Sequence, residues 1–164
     1  MAGPAEDVLA WNNAWELLVR PLGMFDEVAP NLARHVFLHP SARTVYLDWE
    51  AMADERVSRL RTASARWADD DGFAALMDEL VTAPDFTARW SNFATTEKRR
   101  GTIRLAHPDL GQLRLNFEVL LLADEVDEQR LVTWLPADEA TATALAGIDS
   151  TAVPTSPAQL RVIG

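Results

Sequence analysis

The hydrophobic period of the chain changes once, and that change limits the folds open to it. Between residues 48 and 67 the apolar positions Trp49, Ala53, Val57, Leu60, Ala63 and Trp67 recur every three or four residues, the stripe of an amphipathic helix. Between residues 112 and 122 they alternate instead. Leu113, Leu115, Phe117 and Val119 share one face, and Arg114, Asn116 and Glu118 share the other. Residues 102–106 and 130–135 alternate as well. Helices come first and strands follow, without the strand–helix alternation that builds a parallel sheet. The chain therefore reads as α+β, with helices packed on one face of an antiparallel sheet.

Local signals place the remaining elements. Asn31, after Pro30, can cap a short helix in which Leu32, Val36 and Phe37 share a face. The run Asp69, Asp70, Asp71 before Gly72 puts acids where a helix N-terminus favours them, with Phe73, Leu76, Met77 and Leu80 on the buried side. Pro84 and Asp85 start another helix, with Phe86, Trp90 and Phe93 at i, i+4 and i+7. The longer helix is expected from Ser41, and more firmly from Asp48. HPDLG (residues 107–111) reads as a hairpin turn and residues 124–128 as the next turn. Residues 141–148 form a short final helix. At the N-terminus, VLAW (residues 8–11) is an apolar run fit for a short strand, while Ala14, Leu17 and Leu18 after it are helically spaced. Asn12 or Asn13 would cap that helix. A strand entering a helix through an asparagine, its sheet completed by three C-terminal strands, resembles the PAS-like arrangement, in which helices and sheet enclose a cavity. The expected domain is residues 8–148, with 1–7 an N-terminal extension and 149–164, rich in Ser, Thr and Pro, a flexible tail.

Charge and composition then remove whole classes of function. With 25 acids against 15 bases the net charge is −10, so a polyanion would be repelled and the chain itself is a poor binder of nucleic acid or anionic membrane. There are no cysteines, hence no disulfides, thiolate catalysis or Cys-based zinc site, which agrees with a cytoplasmic protein. No basic-then-apolar leader opens the chain, and the longest aliphatic run, residues 119–123, is far too short to span a bilayer. Six tryptophans against one tyrosine favour a ring-lined interior. The sequence carries no Gly-rich phosphate loop, GxSxG elbow or HExxH, so an enzyme is not expected.

Five segments, VLAWNNAW, NLARHVFLHPSARTVYLDWE, LRTASAR, DFTARW and HPDLGQLRLNFEVL, occur in an order and spacing that resemble the MmyB-like transcription-regulator ligand-binding domain, from Val8 to Leu145. The resemblance implies a PAS-like module that binds a long-chain fatty acid or similar apolar effector. It also implies an attached XRE-type helix-turn-helix domain as the route to DNA. With seven residues ahead of Val8, that DNA-binding half is expected outside this chain. The family's polar and aromatic marks fall on Trp11, Asn12, Asn31, Trp49, Arg61, Trp90, His107, Pro108 and Gly111. Two positions depart from the pattern: His39 stands where the family tends to have an acid, and Pro30 where it has an arginine.

The candidate ligand-binding set is Trp11, Asn12, Asn31, Arg61, Trp90, Phe93, His107 and Phe117, with no catalytic residue, metal or cofactor. The candidate lining includes Trp11, Leu60, Leu80, Phe86, Trp90, Phe93, Leu115, Phe117 and Trp134, which could equally pack on one another. Arg61, or Arg34, could pair with a carboxylate through its guanidinium fork, or could lay its stem along apolar surface with the head in water. Asn12 is explained by helix capping, and His107 by turn chemistry. His35 and His39 have the i, i+4 spacing of a metal pair, but no third ligand accompanies them. The expected partners are an apolar, fatty-acid-like small molecule and a second copy of the chain. A ligand-free dimerisation or protein-interaction module is the alternative.

Overall fold

The computed structural model describes residues 1–26, 29–92, 98–122, 129–151 and 161–162. Strand β1 (Ala10–Trp11) leads into α1 (Asn13–Val19), which a 3-10 turn, Arg20–Leu22, continues. Helices α2 (Leu32–Leu38), α3 (Ala42–Val45), α4 (Trp49–Trp67), α5 (Asp71–Leu80) and α6 (Pro84–Asn92) follow. Then come β2 (Arg100–His107), β3 (Gly111–Leu121), β4 (Arg130–Pro136), α7 (Glu139–Thr151) and β5 (Arg161–Val162). Helices precede the main antiparallel sheet, and the fold is α+β.

Capping chemistry sets the helix starts. The Asn12 side chain accepts from Trp15 N at 2.9 Å, Asn31 accepts from Ala33 N and Arg34 N, and Asp70 accepts from Phe73 N at 2.8 Å. The hairpin turn closes at Gly111, whose φ of +74° favours a residue without Cβ. The helix expected from Ser41 is broken instead. Tyr46 bridges Leu105 of β2, and Leu47 N bonds Arg104 O at 3.0 Å, so the chain touches the sheet before α4 begins at Trp49. The last helix also reaches three residues beyond Ile148. The turn at residues 124–128 and the tail at 152–160 and 163–164 lie outside the described residues.

The main sheet has the order β2-β3-β4, all antiparallel. Ile103, Leu105, Leu113, Leu115 and Val119 form its buried face, while Thr102, Arg104, Arg114, Asn116 and Glu118 face solvent. Helices α1 to α3 cover the buried face, joined in one cluster by Leu18, Val19, Val36, Tyr46 and Trp49. A second cluster, Val57, Leu60, Phe73, Leu76, Leu80 and Phe86, packs α4 against α5 and α6. The Trp49 indole donates to Val36 O at 2.9 Å, and the guanidiniums of Arg43 and Arg89 lie 3.7 and 4.9 Å from its ring.

The opening strand does not complete this sheet as expected. β1 pairs antiparallel with β5, through Ala10↔Val162 and Trp11↔Arg161. Residues 1–2 take the place beside β4: Ala2 bridges Arg130 on one side and Val8 on the other. These first residues are anchored by buried charge. Glu6, fully buried, pairs with Arg56 of α4 and with Arg130 of β4, and Arg59 pairs with Glu55 at 2.7 Å. Burial opposes the Glu6 charge, but Arg56 and Arg130 outweigh it and hold its pKa below the ordinary value.

Candidate functional site

A cavity of about 600 Å³ opens between two walls. One wall is the start of the chain: Val8 and Ala10, Trp11 of β1, and Ala14, Trp15 and Leu18 of α1. The other is β4, contributing Leu131 through Pro136, with Leu145 and Ile148 of α7. Leu32 and Leu115 also line it. Helix α7 is held there by Thr141, whose hydroxyl accepts from Arg114 N of β3 at 3.0 Å.

Rings dominate the first wall. Trp15 lies 6.4 Å from Trp11, 5.9 Å from Phe25 and 6.3 Å from Trp134 across the cavity, the last two edge-on. The Trp11 indole donates to Glu16 Oε2 at 2.9 Å, which fixes the ring's orientation. The polar side chains at the lining are Asn12, occupied as a helix cap, and Thr133. No ionisable side chain lines the cavity among the described residues. Such a space suits an apolar molecule.

The sequence model of the MmyB-like transcription regulator ligand binding domain matches residues 2–147. The chain belongs to this family. It is thus a regulatory ligand-binding domain of a transcription regulator, in a family that is not an enzyme family. No curated protein matches the chain. No helix among the described residues is long and apolar enough to cross a membrane.

Of the residues singled out by sequence in this MmyB-like domain, Trp11 and Asn12 line the large cavity, together with Leu115 and Trp134. Phe117 lines a second space of about 30 Å³ that shares Leu32, Val132 and Trp134 with the first and is also lined by Arg56 and Arg59. The remaining polar candidates have other partners. Asn31 is buried; besides capping α2 it donates to Ala5 O at 2.7 Å and Asp7 Oδ1 at 2.8 Å. His107 is buried too. Its Nε2–H donates to Leu18 O at 3.0 Å, and its Nδ1 accepts from Asp109 N and Leu110 N, so it closes the hairpin turn and ties it to α1.

Arg61 stands over the Trp90 ring at 5.4 Å, and Trp90 stacks on Phe86 at 5.5 Å, in the second cluster with Leu60 and Leu80. Arg34 pairs with Glu79. Phe93 lies outside the described residues. The His35 and His39 rings stack at 4.8 Å. His35 Nε2–H donates to Leu22 O and its Nδ1 accepts from the Tyr46 hydroxyl, while His39 meets Ser41 Oγ and Asp26. Burial lowers the His35 pKa and raises that of Tyr46 to about 12, which suits a neutral imidazole beside a hydroxyl donor.

Sequence reasoning missed Trp15, Leu18, Val132, Leu145 and Ile148. Trp15 sits in the same opening segment as Trp11 and was legible as aromatic. The α7 residues carried no signal, because their contact with α1 depends on where β4 delivers the chain.

Proposed function

We propose that this MmyB-like domain senses an apolar small molecule of fatty-acid type in the cavity between β1–α1 and β4–α7. Its effect on transcription then runs through an XRE-type helix-turn-helix domain outside this chain, in the cytoplasm where DNA is met. The observation that carries the reading is the 600 Å³ space walled by Trp11, Trp15, Trp134 and aliphatic side chains. An acyl chain entering it gains about 0.8 kcal/mol per buried CH₂, and the volume lies within the usual range for small-molecule sites. Among the described residues the side chains lining the cavity are apolar apart from Asn12 and Thr133, which suits binding of an apolar molecule. Because the two walls belong to different elements, occupancy favours the arrangement in which α1 and α7 close on the ligand. The shift equals the ligand's differential affinity for the two arrangements.

Native mass spectrometry of freshly purified protein, followed by organic extraction, tests this. A stoichiometric lipid adduct, or saturable quenching of tryptophan fluorescence by dodecanoic or tetradecanoic acid, supports it. A clean protein mass, with no response to either acid, sinks it.

A specific observation also favours a homodimer. On the solvent face of β3–β4, Leu120 (47% exposed) pairs across strands with Leu131, and Leu135 is 61% exposed. Burying these leucines against a second copy would remove an apolar patch from water. Sedimentation equilibrium decides it, with Leu135→Glu expected to shift any dimer toward monomer.

A further inference from the structure

A buried donor without an acceptor borders the smaller of the two spaces. Leu32, Val132 and Trp134 line both, which makes the 30 Å³ space an inward continuation of the 600 Å³ cavity. Its polar lining is Tyr46, Arg56 and Arg59; the rest is apolar. The Tyr46 hydroxyl is engaged with His35 Nδ1. Arg59 pairs with Glu55 at 2.7 Å and donates to Lys98 O at 2.9 Å. Arg56 is met less fully. Its Nη1 donates to Glu6 Oε2, but Glu6 gives its other oxygen to Arg130 and so does not grip the Arg56 fork bidentately. Arg56 Nε is buried and has no hydrogen-bond partner among the described residues. A guanidinium N–H that has left water without gaining an acceptor is costly.

We infer that the effector is a monocarboxylate that binds head first, its carboxylate accepting from Arg56 Nε in the smaller space and its alkyl chain filling the large cavity. This rests on the sensing reading above and names the head group and its direction. The size fits. One water-sized group needs about 10 to 15 Å³, so 30 Å³ admits the two oxygens of a planar carboxylate but not the four of a phosphate. The charge fits as well. An ionised head that leaves water needs a fixed cation beside it, and a guanidinium matches the plane of a carboxylate. Burial, and after it the charge of Arg56, lowers the Arg59 pKa from its ordinary value. A carboxylate beside both guanidiniums offsets that repulsion.

The test uses the 164-residue chain and three probes: dodecanoic acid, methyl dodecanoate and dodecan-1-ol. Calorimetry is expected to show the acid binding about tenfold to a hundredfold more tightly than the ester or the alcohol, the size of a hydrogen bond between charged groups. Arg56→Lys keeps a cation for Glu6 and removes Nε. It is expected to weaken dodecanoic acid about tenfold and leave dodecan-1-ol within about twofold. Should that variant not fold, the Arg56 Nε–H resonance of the unaltered protein supplies a second measurement. It is expected to move with the acid and to stay in place with the ester. Equal affinities, or a preference for the ester or the alcohol, would overturn the inference and leave the sensing reading standing. An acid preference that Arg56→Lys leaves intact, or an Nε–H resonance that the acid does not move, would overturn it too. If none of the three probes binds, both readings fall.

Discussion

The Trp11 indole donates to Glu16 Oε2 at 2.9 Å, so a residue at the cavity wall is oriented by the helix that follows it five residues on. Glu16 is buried and also pairs with Arg20 one turn later. Glu16→Ala is expected to free the Trp11 ring and weaken binding of an apolar probe severalfold while leaving the fold intact. Fluorescence titration with dodecanoic acid checks it. Unchanged affinity would show that the ring needs no such anchor.

The buried charges around Glu6 hold the first residues to α4 and β4. Glu6→Ala leaves Arg56 and Arg130 facing each other without their carboxylate, and breaking a buried pair this way costs about 3 to 5 kcal/mol. Chemical denaturation is expected to show that loss, whereas Arg20→Ala at the exposed end of its pair should cost under about 1 kcal/mol.

His35 makes stability depend on pH in a defined direction. Burial is the largest cause lowering its pKa from 6.5, so the unfolded chain takes up a proton more readily than the folded one. Its contribution is complete above pH 6.5 and is lost as the pH falls from there toward the depressed folded value. Thermal unfolding followed downward from pH 7.5 is expected to show a falling Tm below about pH 6.5. In His35→Gln that part of the slope should disappear.

Gly101 gives Phe117 its place. A Cβ at Gly101 would lie 2.7 Å from Phe117 Cε1 and 3.0 Å from its Cζ. Gly101→Ala is therefore expected to push that ring toward the 30 Å³ space and to cost about 1 to 3 kcal/mol. Denaturant midpoints measure it, and an unchanged midpoint would mean the ring yields freely.

Asn31 joins three segments with one amide: its oxygen caps α2, and its nitrogen bonds Ala5 O and Asp7 Oδ1. Asn31→Asp keeps the acceptor and loses the donors. It should recover part, but not all, of the roughly 2 kcal/mol or more expected to be lost in Asn31→Ala. Parallel melts of the two variants separate capping from the tie to the first residues.

Period and capping are local properties, and so they could be read directly. The stripe from Trp49 to Trp67, the alternation from Leu113 to Val119, the caps at Asn12, Asn31 and Asp70, and the turn at Gly111 each depend on a few neighbouring residues. The same pattern could not say which aromatic residues share a space. Trp11 and Trp134 face one cavity across 123 positions of sequence, while Trp90, equally apolar in its helix, stacks on Phe86 and Arg61 in a separate cluster. Nor could it say that Ala2, not the opening strand, would meet β4, since strand pairing is chosen by long-range backbone bonds that leave no mark on hydrophobic period. What the sequence alone determined here was the period of the main helices and strands and the caps that start α1, α2 and α5. The walls of the cavity were decided by the tertiary structure, because a cavity is a relation between elements distant in the chain.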